Sequence, residues 1–261
     1  MVKQKPVILS YGGGTQSIAI CILIAQGRLP KPERIIIADT SRESSETWQY
    51  TDRHVSPVLE SVNLKVEVAP HSLATVDLYR NGDLLIPAFL APQGAMPGFC
   101  SNEWKERVLR RYLRQQGYGP KKPVEKWLGI SLDEVGRAKP SCVKWCSNNW
   151  PLLYIHEPAL TRSDCIKIVK EAGLPDPPKS SCWHCPYKRN AQWRNTRDNF
   201  PEDWEKAVAL DAEIRQNPKF SNVYLHDSRL PLDQADLGQS DTPSDPLMGD
   251  VAHCDSGYCM V

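Results

Sequence analysis

The chain begins with a short apolar strand, Val7-Ile8-Leu9, followed by a polar glycine-rich run and an apolar helix from Ile18 to Ala25. Arg34-Ile35-Ile36-Ile37-Ala38 reads as a second strand, and a helix from about Glu46 to Val62 follows it. Lys65-Val66-Glu67-Val68 and the run from Val124 to Ile130 read as a third and a fourth strand, with a helix from Trp104 to Gln115 between them. Strands alternating with helical patterns predict a mostly parallel, doubly wound α/β sheet with helices on both faces. Another helix begins at Thr161, and Pro201-Glu202-Asp203-Trp204 opens one that runs through Ile214, with acidic residues where the helix dipole favours them. Asp233 to Asp250 is rich in Asp, Ser, Pro and Gly and reads as an irregular, mobile tail. The pattern divides the chain into residues 1–160, the α/β domain, and 161–261, a cysteine-bearing helical region and tail packed on that domain.

Composition narrows the function classes. The 261 residues include 32 basic and 31 acidic side chains, so a net charge of +1 gives no global field towards nucleic acid or anionic membrane. No apolar run reaches the roughly 18 residues a spanning helix needs. Nine cysteines, an odd number, without a recognisable signal sequence favour a reducing cytoplasm over a secreted disulfide framework. In that setting clustered cysteines point to metal or redox chemistry.

Ser10-Tyr11-Gly12-Gly13-Gly14-Thr15-Gln16-Ser17 stands between strand and helix, the context in which a glycine loop grips an anion. Glycines take positive φ and let the backbone approach a ligand, while the N–H groups of the helix's first turn point at the negative charge. Ser10 and Ser17 add hydroxyl donors. The run is neither a Walker A loop nor a dinucleotide fingerprint. It resembles the PP-loop of the adenine-nucleotide alpha-hydrolase superfamily, and more closely the S-[FY]-G-G-G-x-x-S form in phosphoadenylylsulfate (PAPS) reductase-like proteins. Gln16 stands where many members carry Asp, so that carboxylate is lacking here.

Further motifs follow in order. Asp39-Thr40-Ser41-Arg42-Glu43, with Glu46-Thr47, is similar to the D-T-G-x-E…E-T segment of those proteins. Gly129-Ile130-Ser131-Leu132-Asp133-Glu134-Val135-Gly136-Arg137 resembles their G-I-S-x-D-E-x-x-R segment, and Leu225-His226-Asp227-Ser228-Arg229-Leu230-Pro231-Leu232 their L-H-x-S-x-x-P-L segment. The resemblance implies a Rossmann-like sheet and an adenine nucleotide held by Ser10, Gly12, Gly13, Gly14, Gln16, Ser17, Asp39, Thr40, Arg42 and Arg137. Ligands of such sheets lie beyond the carboxyl ends of the strands, so the glycine loop, Asp39-Thr40 and the segment after Ile130 should converge.

Cys182-Trp183-His184-Cys185 is a C-x-x-C knuckle, a spacing shared by metal, cluster and thioredoxin-type redox sites. Cys100 lies in Cys100-Ser101-Asn102-Glu103-Trp104-Lys105, which resembles the C-T-x-x-x-K stretch of iron–sulfur members of the superfamily. The resemblance implies a [4Fe–4S] cluster on Cys100, Cys182 and Cys185, with the fourth ligand from Cys165 or from a tail cysteine, Cys254 or Cys259; zinc and free thiols are the alternatives. Cys142 and Cys146 read as a helical surface or core pair, and Cys21 as a small core residue. The helix after Cys100 carries Lys105, Arg107, Arg110, Arg111 and Arg114, either a solvated face or a docking face.

Three activities fit these residues. PAPS or adenylylsulfate reduction would use a tail thiolate, Cys254 or Cys259, against sulfur, with a thiol reductant. Alternatively, ATP with Mg²⁺ would be cleaved between its alpha and beta phosphates to adenylylate a nucleobase or DNA acceptor, with a sulfur donor as partner. The third possibility is a non-catalytic nucleotide- or cluster-binding accessory protein.

Overall fold

The computed structural model describes residues 5–238. The tail cysteines Cys254 and Cys259 lie outside the described residues.

The main sheet is built from β1 (Val7–Ser10), β2 (Arg34–Ala38) and β3 (Val66–Ala69), with two later strands completing it. Between β3 and those strands come a hairpin, β4 (Tyr79–Arg80) with β5 (Asp83–Leu84), and the short β6 (Ala88–Leu90) and β7 (Ala95–Met96). The sheet is completed by β8 (Val124–Leu128) and β9 (Cys146–Asn149); β10 (Val223–Tyr224) pairs antiparallel with β6. The sheet order is β3-β2-β1-β8-β9, and every pairing in it is parallel. Chain direction along the sheet reverses between β1 and β8, so their carboxyl ends flank the switch point where such sheets hold ligands.

The helices are α1 (Thr15–Ala25), α2 (Ser45–Tyr50), α3 (Ser56–Glu60), α4 (Arg107–Gln115), α5 (Pro151–Tyr154), α6 (Arg162–Glu171), α7 (Asn190–Asn199) and α8 (Pro201–Gln216). Alternate side chains of each strand serve opposite layers. Leu9, Ile35, Ile37 and Trp127 join α1 and α6 in one core, while Ile8, Ile36, Ala69, Val124 and Cys146 join Val108, Leu109 and Leu113 of α4 in another. Helix α1 is apolar almost all round because it is enclosed, its residues from Thr15 to Ile24 all being buried. A third core joins β4 to β6 with Trp104, α8 and Val223, and Cys100 and Trp183 pack against it.

Three expectations change. The helix expected over Glu46–Val62 runs from Ser45 to Glu60, with a widened turn over Thr51–Val55 between α2 and α3. The helix expected from Trp104 starts at Ser101, immediately after Cys100, in a second wide turn that leads into α4. Cys142 and Cys146 are not a helical pair: Cys146 is buried in β9 and Cys142 is exposed in the preceding loop. Parallel pairing of β9 with β8 places Cys146 opposite Val124, and that strand register overrides any helical spacing.

Candidate functional site

The glycine loop leaves β1 and turns directly into α1. Gly13 has φ +70°, and a Cβ there would lie 2.3 Å from Thr47 Cγ2, so both the turn and the approach of α2 require glycine. Gly14 caps α1 in an extended conformation with no side-chain acceptor, and the first turn contains no acidic residue. The helix's first N–H groups therefore have no built-in anion. Ser17 donates to the Gly14 carbonyl at 2.9 Å, tying the loop to the helix. Gly129, at the end of β8, approaches so closely that a Cβ would sit 3.1 Å from the Ser17 nitrogen.

One pocket at the switch point is lined by Ser10, Tyr11 and Gly12, by Ile37 and Ala38 at the end of β2, by Leu128, and by Glu43, Ser101, Lys105 and Glu106. A second is lined by Thr40, Cys100, Ser101, Lys105, Cys182, His184 and Cys185, among others. Ser101 and Lys105 belong to both, so the glycine loop and the cysteines open onto adjoining spaces.

Main-chain bonds bring the knuckle there. The Trp183 N–H donates to the Arg42 carbonyl at 2.9 Å and the Ser44 N–H to the Ser181 carbonyl at 3.1 Å, with Glu43 and Cys182 paired antiparallel between them. The carboxylate of Asp203, in the first turn of α8, accepts from the Ser45 N–H at 2.7 Å and its hydroxyl at 2.9 Å, which anchors the start of α2.

The expected ligands divide in their engagements. Asp39 Oδ1 accepts from the Ser41 N–H at 2.6 Å, bending the chain into the positive φ of Ser41. Thr40 is fully buried, its Oγ1 3.7 Å from Cys182 Sγ. Arg42 pairs with Asp77 at 2.8 Å and lies over the Trp104 ring. Gln16 turns away from the loop. Its amide nitrogen donates to Glu134 at 3.0 Å and Ser131 at 3.3 Å, and its oxygen accepts from Arg162 at 3.4 Å. That orientation satisfies carboxylate and guanidinium together. Arg137 pairs with the same Glu134 at 2.9 Å, and burial raises the carboxyl pKa of Glu134 above the ordinary range.

Burial, then Glu43 and Cys100 nearby, pushes the pKa of Cys182 up to about 12, and burial raises that of Cys100 against the opposing pull of Lys105. Burial, followed by the charges of Arg42 and Lys188, pushes His184 down to about 3. Among the described residues no three His, Cys, Asp or Glu side chains converge as ligands for one ion. Cys100, Cys182 and Cys185 nevertheless line the same pocket. Cys165 stands apart from them, buried between α6 and α1 with Ile168 and Val169.

Against known proteins, no family model matches the chain. It is 24% identical over 273 residues to an uncharacterized 37.8 kDa protein of Escherichia phage 186, a match spanning 85% of this chain and 80% of the relative. Among solved structures it is similar to the PAPS reductase of Candida auris in a phosphate complex, with 13% identity and a TM-score of 0.45 over 70% of this chain and 84% of that one.

Several residues of the site had escaped the sequence reading. Lys126 of β8 is buried to 2% exposure and ion-paired with Glu106, which lines the first pocket and also meets Arg110 at 3.7 Å. Lys188, three residues beyond Cys185, donates to Thr196 at 2.8 Å and lies over the Trp193 ring. Burial lowers its pKa, opposed by Cys185, Asp203 and Glu46. The basic helix is neither a bare solvated face nor an open cationic strip. Lys105 meets Glu43, Arg107 meets Glu103, Arg111 donates to the Leu73 carbonyl, and Arg114 lies over Trp145.

His226 of the last motif is a clasp, with Nδ1 2.8 Å from Ser228 Oγ and Nε2 3.0 Å from Asn190 Oδ1. Burial lowers its pKa, outweighing the neighbouring Asp227. The unfolded chain therefore takes up the proton first, so stability is lost as pH falls below about 6.5 towards the lowered folded value. His226→Gln should flatten that limb of a urea-unfolding pH series, and an unchanged slope would refute this account.

Proposed function

We propose that the chain is a PP-loop enzyme, similar to PAPS reductases, that holds an adenine nucleotide at the switch point and performs sulfur-related chemistry on it. The observation that carries this reading is the junction of the two pockets at Ser101 and Lys105. An anion on the first turn of α1 would lie at one side of that junction, with the thiols of Cys100, Cys182 and Cys185 at the other. Lys105, already beside Glu43, supplies positive charge between them. Gly12, Gly13 and Gly14 would cradle the phosphate through main-chain N–H groups, and Ser10 and Ser17 frame it. Thr40 lines the neighbouring pocket, and Asp39, Arg42 and Arg137 would serve as further ligands from outside the two linings.

Cys100, Cys182 and Cys185 would hold an iron–sulfur cluster, with a tail cysteine, Cys254 or Cys259, as fourth ligand or as the attacking thiolate. Such a cluster supplies electron-rich, cationic iron close to the reacting sulfur. The core position of Cys165 does not suit it to this set. The Gln16 amide, committed to Glu134 and Ser131, offers no carboxylate to Mg²⁺, which favours sulfonucleotide chemistry over ATP cleavage.

Anaerobically purified protein should release sulfite from adenylylsulfate or PAPS in the presence of a thiol reductant. Pyrophosphate from ATP, with no sulfite from either sulfonucleotide, would move the assignment to the adenylylating reaction. Neither product would leave a binding role only.

A further inference from the structure

Glu43 is the least satisfied group in the first pocket. Its side chain is 1% exposed; one oxygen, Oε2, meets Lys105 at 3.3 Å, while Oε1 is buried without a hydrogen-bond partner among the described residues. Leaving a buried carboxylate oxygen without a donor is costly, and Glu43 is held there by the pairing of its backbone with Cys182. Glu106, the other carboxylate of the lining, directs one oxygen to Lys126, and Arg110 stands 3.7 Å from the other. In this lining, beside Ser10, Ser101 and Lys105, Glu43 Oε1 is thus the acceptor that lacks a donor.

We infer that Glu43 selects a nucleotide whose ribose is unphosphorylated, accepting a hydrogen bond from a ribose hydroxyl on Oε1. The inference rests on reading this cleft as the adenine-nucleotide site. With a phosphate at the start of α1, the nucleoside would extend across Gly12 and the ends of β2 and β8 into the lining that holds Glu43 and Glu106. A ribose hydroxyl donates to Oε1 and completes it. A 3′-phosphate has only acceptor oxygens and would bring a dianion against a buried carboxylate. On this inference adenylylsulfate is preferred to PAPS at the site.

Calorimetric titration of the full chain with AMP and with adenosine 3′,5′-bisphosphate, which differ only in the 3′-phosphate, tests the inference without any substitution. AMP is expected to bind about tenfold or more tightly, the range of one hydrogen bond to a charged acceptor. Glu43→Gln, nearly isosteric and checked for folding by thermal melting, is expected to weaken AMP about tenfold and to narrow or reverse the preference. Equal or tighter binding of the bisphosphate to the unaltered chain, or an unchanged ratio in E43Q, overturns the role of Glu43 while leaving the nucleotide site standing. Binding of neither compound overturns both.

Discussion

Replacing Gly13 with alanine is expected to destabilise the protein by about 2–5 kcal/mol and to abolish nucleotide binding. Two separable costs add up to that range. A left-handed backbone at φ +70° costs an L-residue about 1–2 kcal/mol. A methyl 2.3 Å from Thr47 Cγ2 must also push α2 away, and overpacking of this kind costs about 1–3 kcal/mol. Thr47→Ser deletes the clashing methyl but not the backbone strain. In a double-mutant cycle by urea unfolding, G13A/T47S should therefore recover the steric share and retain the conformational one. A G13A loss below about 1 kcal/mol, or no recovery on adding T47S, would show that the loop does not need glycine for these reasons. Binding should stay impaired even in the rescued pair, because strain at Gly13 misaims the N–H groups beside it.

The second large effect is expected beneath the same pocket. Glu106→Ala removes the counter-ion of Lys126 and leaves an ammonium buried in the middle of a parallel sheet. Breaking one side of a buried pair costs about 3–5 kcal/mol. Lys126→Met, which takes the charge away and keeps the volume, should cost much less, and the double change should restore most of the loss. The pH dependence has a defined sign. An unpaired buried lysine binds its proton more weakly than in the unfolded chain, where its pKa is about 10.4. The unfolded state of E106A then holds more protons, so its stability should rise with pH towards that value, narrowing the gap to the unaltered protein. A loss of less than about 1 kcal/mol, or a pH-independent gap, would mean that Lys126 has another route to neutralisation.

The layers of this fold are legible in the sequence because they rest on local signals. Ile35-Ile36-Ile37 is apolar on both faces of its strand, which only a sheet covered on both sides explains, and the Gly12–Gly14 run carries its own turn chemistry. What the sequence hides is pairing across long separations. Val124-Glu125-Lys126-Trp127-Leu128 reads as a strand with two consecutive charges, but strand order places it inside the sheet, so Lys126 points into a core and needs Glu106 from another element. A charge at an inward position of a central strand was the available signal. The basic helix misleads in the opposite way. Its cations look unattached in sequence because Glu43, Leu73 and Trp145 meet them only after folding. Residues 78–98 gave no periodic signal, since their strands are only two or three residues long and are held by Trp104 and α8.

The stitching of Ser181–Trp183 to Arg42–Ser44 joins the walls of the two pockets directly. Strain introduced at the cysteines, by oxidation or by loading, would reach the wall that carries Glu43 through three consecutive residues. Were a nucleotide to bind against that wall, reciprocity would require it to alter the affinity or potential of the thiols by the same free energy as the thiols alter its own binding. Any coupling between the two pockets would run through this stitch, and by the same amount in both directions.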